Sequence, residues 1–345
     1  MMHQYVERNS GRLVNERIFG DSLIGNVFNP LIEDSSAIYR AVTSKRVNKF
    51  LAWAAFDSVL GSKITGAGKF LKDAGINERE CLDPVYMLDT RRKIFERKIR
   101  YWDVRPIPED KSQVLCPADS KMLAGSFKQG PGVFLKEKLF SFEELIGRRY
   151  WLKPFNSGDF AVFRLTPDKY HYTHCPVSGV IKDFYEIDGR MNSCNPGAVM
   201  KISKAYSKNK RVVTIIDTDV PDGTGVGLVA MVEIVALMVG NIRQAYSIDQ
   251  YYYPKDLVKG MKIERGQPKA IFMPGSSTVV LLFEEGRIKF HDDIIKNMQR
   301  EASSRFSLSF GKPVVETEVA VRSGIADRVK LEGGSLWQYL FSWLY

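Results

Sequence analysis

From residue 105 onward, short β-branched runs alternate with turn residues, and that rhythm commits most of the chain to β-structure. Val212-Val213-Thr214-Ile215-Ile216, Leu228-Val229-Ala230-Met231-Val232 and Thr278-Val279-Val280-Leu281-Leu282-Phe283 are the clearest of these runs, and Gly, Pro and Asp punctuate the stretches around them. Val104-Arg105-Pro106-Ile107-Pro108 marks a boundary, because its two prolines break helical patterning. Residues 1–104 read as mostly helical: Asp34-Ser35-Ser36 offers N-cap oxygens, and the amphipathic stretch 47–61 follows. The expected class is therefore α+β, a helical region over 1–104 followed by a β-rich domain of many short strands over 105–345.

Charge narrows the partners. The net charge of +10 favours an anionic one, either nucleic acid or an anionic membrane face. Nucleic acid is not expected, since no recognised module and no basic strand with interleaved aromatics is present. Six basic residues, Arg91, Arg92, Lys93, Arg97, Lys98 and Arg100, stand against one acid in 91–100, which suits either a solvated face or a lipid surface. No apolar run approaches the roughly 18–20 residues that cross a bilayer. The charged N-terminus is not expected to be a secretory signal, and the apolar 336–345 segment either packs on the body or dips into a lipid interface. Four scattered cysteines, Cys81, Cys116, Cys175 and Cys194, form no CxxC pair, so neither a zinc knuckle nor a disulfide framework is expected.

Three segments carry chemistry. His171 and His174 sit among Tyr, Pro and Val residues that suggest strand or loop, where an HxxH pair points to opposite faces and makes a poor metal site. Asp119 follows Pro117 in what alone would be ordinary turn chemistry. Gly275-Ser276-Ser277 feeds an apolar strand directly. Asp, His and Ser together are the constituents of a base-activated nucleophile, but no GxSxG elbow accompanies them. A serine so placed suits a different reaction, in which its hydroxyl attacks the preceding carbonyl, the amide becomes an ester, and elimination leaves a pyruvoyl group.

These motifs resemble the phosphatidylserine decarboxylase family along most of the chain. Tyr5-Val6-Glu7-Arg8-Asn9-Ser10-Gly11 with Phe19-Gly20-Asp21 is similar to the opening of its longer bacterial members. Arg97-Lys98-Ile99-Arg100 with Arg105-Pro106-Ile107, Pro117-Ala118-Asp119, Tyr170-His171-Tyr172-Thr173-His174, Asn195-Pro196, Asn209-Lys210-Arg211-Val212 and Val258-Lys259-Gly260 follow in the family's order. Departures occur: Ser276 stands where the family has Gly, Asp168 and Lys169 put a carboxylate one place early before Tyr170, and Ser120 replaces the Gly of PADG.

The resemblance implies conversion of phosphatidylserine to phosphatidylethanolamine and CO2 through a Schiff base with a pyruvoyl group derived from Ser277. It implies a self-cleavage relay of Asp119, His174 and Ser277, with His171 beside the substrate in decarboxylation. Counting from both sides puts the cut between Ser276 and Ser277, and Ser276 is the rival nucleophile. The implied partner is phosphatidylserine in an anionic membrane, met peripherally at its cytoplasmic face by the basic 91–100 segment. The two cut chains are expected to stay together, and a homodimer is compatible with the resemblance. Two other readings stay open, a relative that decarboxylates a soluble amino acid and a non-cleaving scaffold protein.

Overall fold

The computed structural model describes residues 2–16, 44, 71, 75–128, 138–190, 192–193, 195–201, 204–236, 241–275 and 277–329. Asp34, Ser35, Ser36, the 47–61 stretch, Cys194, Ser276 and the 336–345 segment lie outside the described residues. Within them the alternating runs become sixteen strands: β1 (Gln4–Glu7), β2 (Leu13–Asn15), β3 (Val114–Leu115), β4 (Ser120–Ser126), β5 (Asp159–Leu165), β6 (Tyr172–His174), β7 (Gly179–Ile187), β8 (Arg211–Asp217), β9 (Leu228–Val235), β10 (Ile242–Gln244), β11 (Lys262–Ile263), β12 (Pro268–Phe272), β13 (Ser277–Phe283), β14 (Ile288–Phe290), β15 (Thr317–Val319) and β16 (Gly324–Arg328).

Ten of them form one sheet in the order β11-β7-β8-β9-β13-β5-β4-β15-β1-β2. Two three-stranded sheets, β10-β12-β6 and β14-β16-β3, complete the β-structure. Strand β13 is central, antiparallel to β9 on one side and to β5 on the other over all seven of its residues. Its alternation splits the core. Val279, Leu281 and Phe283 pack with Cys175, Ala270 and Phe272 of the small sheet's side, whereas Val280 and Leu282 pack with Phe140, Phe155 and Phe160 beneath the short helices Phe142–Ile146 and Leu152–Phe155.

The first described residues depart from the helical expectation. Gln4–Glu7 and Leu13–Asn15 form a hairpin, with Gly11 in the left-handed region at φ 67°, and β1 continues the main sheet beside β15. Val6 is fully buried there, so two-residue alternation decides the segment. His3, Glu16 and Glu316 meet in a buried cluster whose carboxylates are both taken by Arg164, at 2.7 Å to Glu16 and 2.5 Å to Glu316. Short helices do occur near the boundary, at Arg91–Phe95 with Thr90 capping the Lys93 N–H, and at Tyr101–Val104. No helix of the described residues is long and apolar enough to cross a membrane.

Close backbone approach at the end of β13 demands a glycine. A Cβ on Gly158 would lie 1.8 Å from the Phe283 carbonyl oxygen. Gly158→Ala must therefore push the start of β5 off its neighbour, costing about 1–3 kcal/mol or more by the usual price of overpacking. A urea midpoint equal to the parent's would show that the two strands part freely.

Candidate active site

The serine run, the histidine pair and the PADS turn come from neighbouring elements: Ser277 heads β13, Asp119 precedes β4 with β5 between them, and the His174 N–H bonds the Pro117 carbonyl at 2.8 Å. Ser277 is its first residue, paired with Val235 of β9 and Leu165 of β5. The preceding turn needs Gly275, which adopts φ 150°, a value that residues with a Cβ rarely take. Ser277 is fully buried and its Oγ has no hydrogen-bond partner. An orphaned buried hydroxyl costs about 1–3 kcal/mol and calls for an explanation.

Both histidines are also fully buried: His174 ends β6, the strand that pairs with β12 ahead of Ser277, and His171 directly precedes it. The Phe272 N–H bonds the His171 carbonyl at 3.1 Å, while His174 pairs with Pro268 at the other end of the ladder. His171 thus stands at the end nearer the serine turn. Alternation gives His171 and Thr173 one face and Tyr170, Tyr172 and His174 the other. Thr173 shows where the first face leads. Its Oγ1 donates to Glu233 Oε1 at 2.6 Å, and Glu233 lies across from Val279, two residues beyond Ser277.

The two imidazoles differ in what their nitrogens meet. His171 Nδ1 lies 2.8 Å from the Lys169 carbonyl, which fixes the proton there and leaves Nε2 as a lone pair, buried and without a partner. Its ring stacks on Phe95 at 3.5 Å. His174 Nδ1 lies 2.8 Å from the Gly266 carbonyl, and its Nε2 lies 3.0 Å from the Tyr170 hydroxyl. Tyr170 in turn meets the Tyr251 hydroxyl at 2.7 Å. Burial pushes both imidazoles down to about 3, helped at His171 by the Arg97 charge and at His174 by Arg322. Both are therefore neutral near pH 7, the form that accepts a proton.

Asp119 is charged. Burial alone would raise its carboxyl, but the Arg105 guanidinium, donating at 2.9 and 3.1 Å, and the Val321 N–H at 2.7 Å hold it below the usual carboxylate range. With both nitrogens of His174 taken, the Asp119–His174 contact implied by the resemblance is not made in the continuous chain. The Asp168–Lys169 departure is absorbed too. Arg97 donates to the carbonyls of both residues, and Lys169 pairs with Glu318. Arg97 is consequently buried, so it does not belong to the exposed basic face expected over 91–100.

A profile of the phosphatidylserine decarboxylase family matches residues 92–315, which contain Asp119, His171, His174 and Ser277. The chain belongs to the phosphatidylserine decarboxylase family. It is 27% identical to a phosphatidylserine decarboxylase proenzyme of Fusobacterium nucleatum, over 88% of this chain and 94% of that one. It is 28% identical to one from Chlamydia trachomatis, over 89% and 96%. A proenzyme 2 from Oryza sativa subsp. japonica is 33% identical over 68% of this chain and 35% of its own length.

Several residues at this phosphatidylserine decarboxylase site were not singled out from sequence. Lys269 and Glu233, both fully buried, form an ion pair at 2.5 Å that joins β12 to β9 beside Thr173. One signal was available: Glu233 is the sole charge in the apolar strand Leu228–Val235. Tyr251 had no such mark, and Arg105 stood out only as part of the Arg105-Pro106-Ile107 motif. Lys269→Met leaves Glu233 buried without its counter-charge and is expected to cost about 3–5 kcal/mol, while adding Glu233→Gln recovers most of it. Urea unfolding of the single and double variants tests this, and a single variant within about 0.5 kcal/mol of the parent would refute the pair's structural weight.

Proposed function

We propose that this chain converts phosphatidylserine to phosphatidylethanolamine and CO2, using a pyruvoyl group that it makes by cutting itself before Ser277. The observation that carries the reading is the buried, unpartnered Ser277 hydroxyl at the head of the central strand, just after a turn whose backbone calls for glycine. Attack of Oγ on the carbonyl of residue 276 turns that amide into an ester. Elimination releases the 276 carboxylate and leaves a carbon–carbon double bond at 277, and water then displaces ammonia to give the pyruvoyl carbonyl. Because β13 is laddered on both sides to strands from residues 1–276, the two chains are expected to remain joined after the cut.

The residues present fit the group. Its site is the Ser277 position itself, lined by apolar Leu165 and Val235 and screened from water, where little competes with an amine substrate. The pyruvoyl carbonyl supplies a place to attach the substrate amine and an electron sink for the loss of CO2. His171, with Nε2 as a lone pair, takes a proton from the substrate ammonium and returns it to the carbon that lost CO2. His174, neutral, is the base that receives the Ser277 proton during cutting, with its Tyr170 bond given up. Asp119 supplies the negative charge that favours the resulting imidazolium. The basic balance of the chain and a lipid substrate support peripheral attachment at the cytoplasmic face of a membrane.

Intact mass of freshly purified protein should give chains of residues 1–276 and 277–345, the second blocked by a pyruvoyl. Active protein that stays whole would sink the proposal, and a cut one residue earlier would make Ser276 the nucleophile. His174→Ala should stop cutting. His171→Ala should cut but lose about 100-fold or more in CO2 release from phosphatidylserine. The opposite pattern would exchange the two roles.

A further inference from the structure

One loop both breaks the surface with apolar side chains and ends on His174. Residues 247–253 present Ile248, Tyr252 and Tyr253 at 66%, 59% and 82% exposure. The loop is held rather than loose. Ser247 Oγ donates to the Tyr252 carbonyl at 2.5 Å, and bridges join Asp249 to Tyr252 and Tyr246 to Lys255. Gln250 and Tyr253 take left-handed φ values of 51° and 50°, costly for residues with a Cβ, and these bends turn the three side chains outward. Between them Tyr251 turns inward, reaching the Ile99 carbonyl at 2.8 Å and, through Tyr170, His174.

Two cations stand against this loop, Lys98 at Tyr251 and Lys255 bridged to Tyr246, with two more in the flanking segments. The Lys98 ammonium lies 5.3 Å over the Tyr251 ring, Arg100 follows on the surface, and Lys255 and Lys259 are exposed just beyond. Asp249 and Asp256 lie in the same stretch, and Asp103 is exposed beside Trp102, which contacts Tyr251. Exposed tyrosines and an aliphatic side chain flanked by Lys98 and Lys255 match the boundary between lipid headgroups and acyl chains. There an aromatic ring has one apolar and one wet end, and anionic headgroups attract the cations.

We propose that residues 247–253 are the element that docks on an anionic bilayer, setting Ile248, Tyr252 and Tyr253 into its interface. The proposal rests on the decarboxylase reading for its substrate but adds the surface that meets the lipid. It also assigns Lys98 and Arg100 a place in that surface, while Arg97 stays with the body.

The test compares two substrates in self-cut protein. Phosphatidylserine in vesicles with phosphatidylcholine requires docking, whereas dihexanoyl phosphatidylserine below its micelle concentration does not. In an Ile248→Ser, Tyr252→Ser, Tyr253→Asn variant, the ratio of vesicle to short-chain turnover should fall about tenfold or more, since interfacial burial of such side chains scales with apolar area. A ratio equal to the parent's overturns the docking role. Parent protein that is cut but turns over neither substrate overturns the decarboxylase reading instead. A second measurement needs no turnover: Tyr253→Cys carrying an environment-sensitive nitrobenzoxadiazole dye should shift its emission to the blue on addition of phosphatidylserine vesicles. Unchanged emission at saturating lipid overturns the proposal.

Discussion

The architecture of the site depends on a buried ion pair, Lys269 with Glu233, that neither partner can leave. Both side chains are fully buried at 2.5 Å, and separating two charges in a low-dielectric interior costs several kcal/mol. The pair spans two sheets, since Lys269 lies on β12 and Glu233 on β9 beside the central strand. Thr173 spends its hydroxyl on the same carboxylate. The strand that carries both histidines is thereby held in one register. A slip of one residue would exchange the faces of His171 and His174 and leave Glu233 without its hydroxyl donor.

That register explains why two histidines three residues apart live in different chemical settings. One stacks on Phe95 and keeps a bare lone pair. The other faces a cluster of Tyr101, Tyr170, Tyr172 and Tyr251, where each ring nitrogen has a partner. Burial keeps both neutral, so each is a base before it is an acid.

The N-terminal hairpin has a comparable anchor. Arg164, on β5 directly across from Thr278, bridges Glu16 and Glu316, and His3 lies 3.0 Å from Glu316. Burial would raise Glu316, but the Arg164 charge and the His3 bond hold it far below the usual carboxylate range. The first residues of the chain are therefore tied to the strand flanking the proposed cut, which helps keep that region assembled once the backbone at 276 opens.

Much of the class and the chemistry could be read from the residues in order. Period-two alternation and turn residues imply the β-rich body, because a strand's faces are a local property of the chain. Pro117-Ala118-Asp119, Tyr170-His171-Tyr172-Thr173-His174 and the Gly275-Ser276-Ser277 turn name the reactive groups, because each motif is contiguous. The same local reading went astray at residues 4–15, where two short strands find their partners only across the fold. It also grouped Arg97 with exposed cations, although its guanidinium is used by carbonyls 71 and 72 residues away. Only tertiary structure paired Lys269 with Glu233, Arg105 with Asp119, and Tyr251 with Tyr170. Those partners lie 36, 14 and 81 residues apart, and no periodicity of a single strand or helix carries such separations.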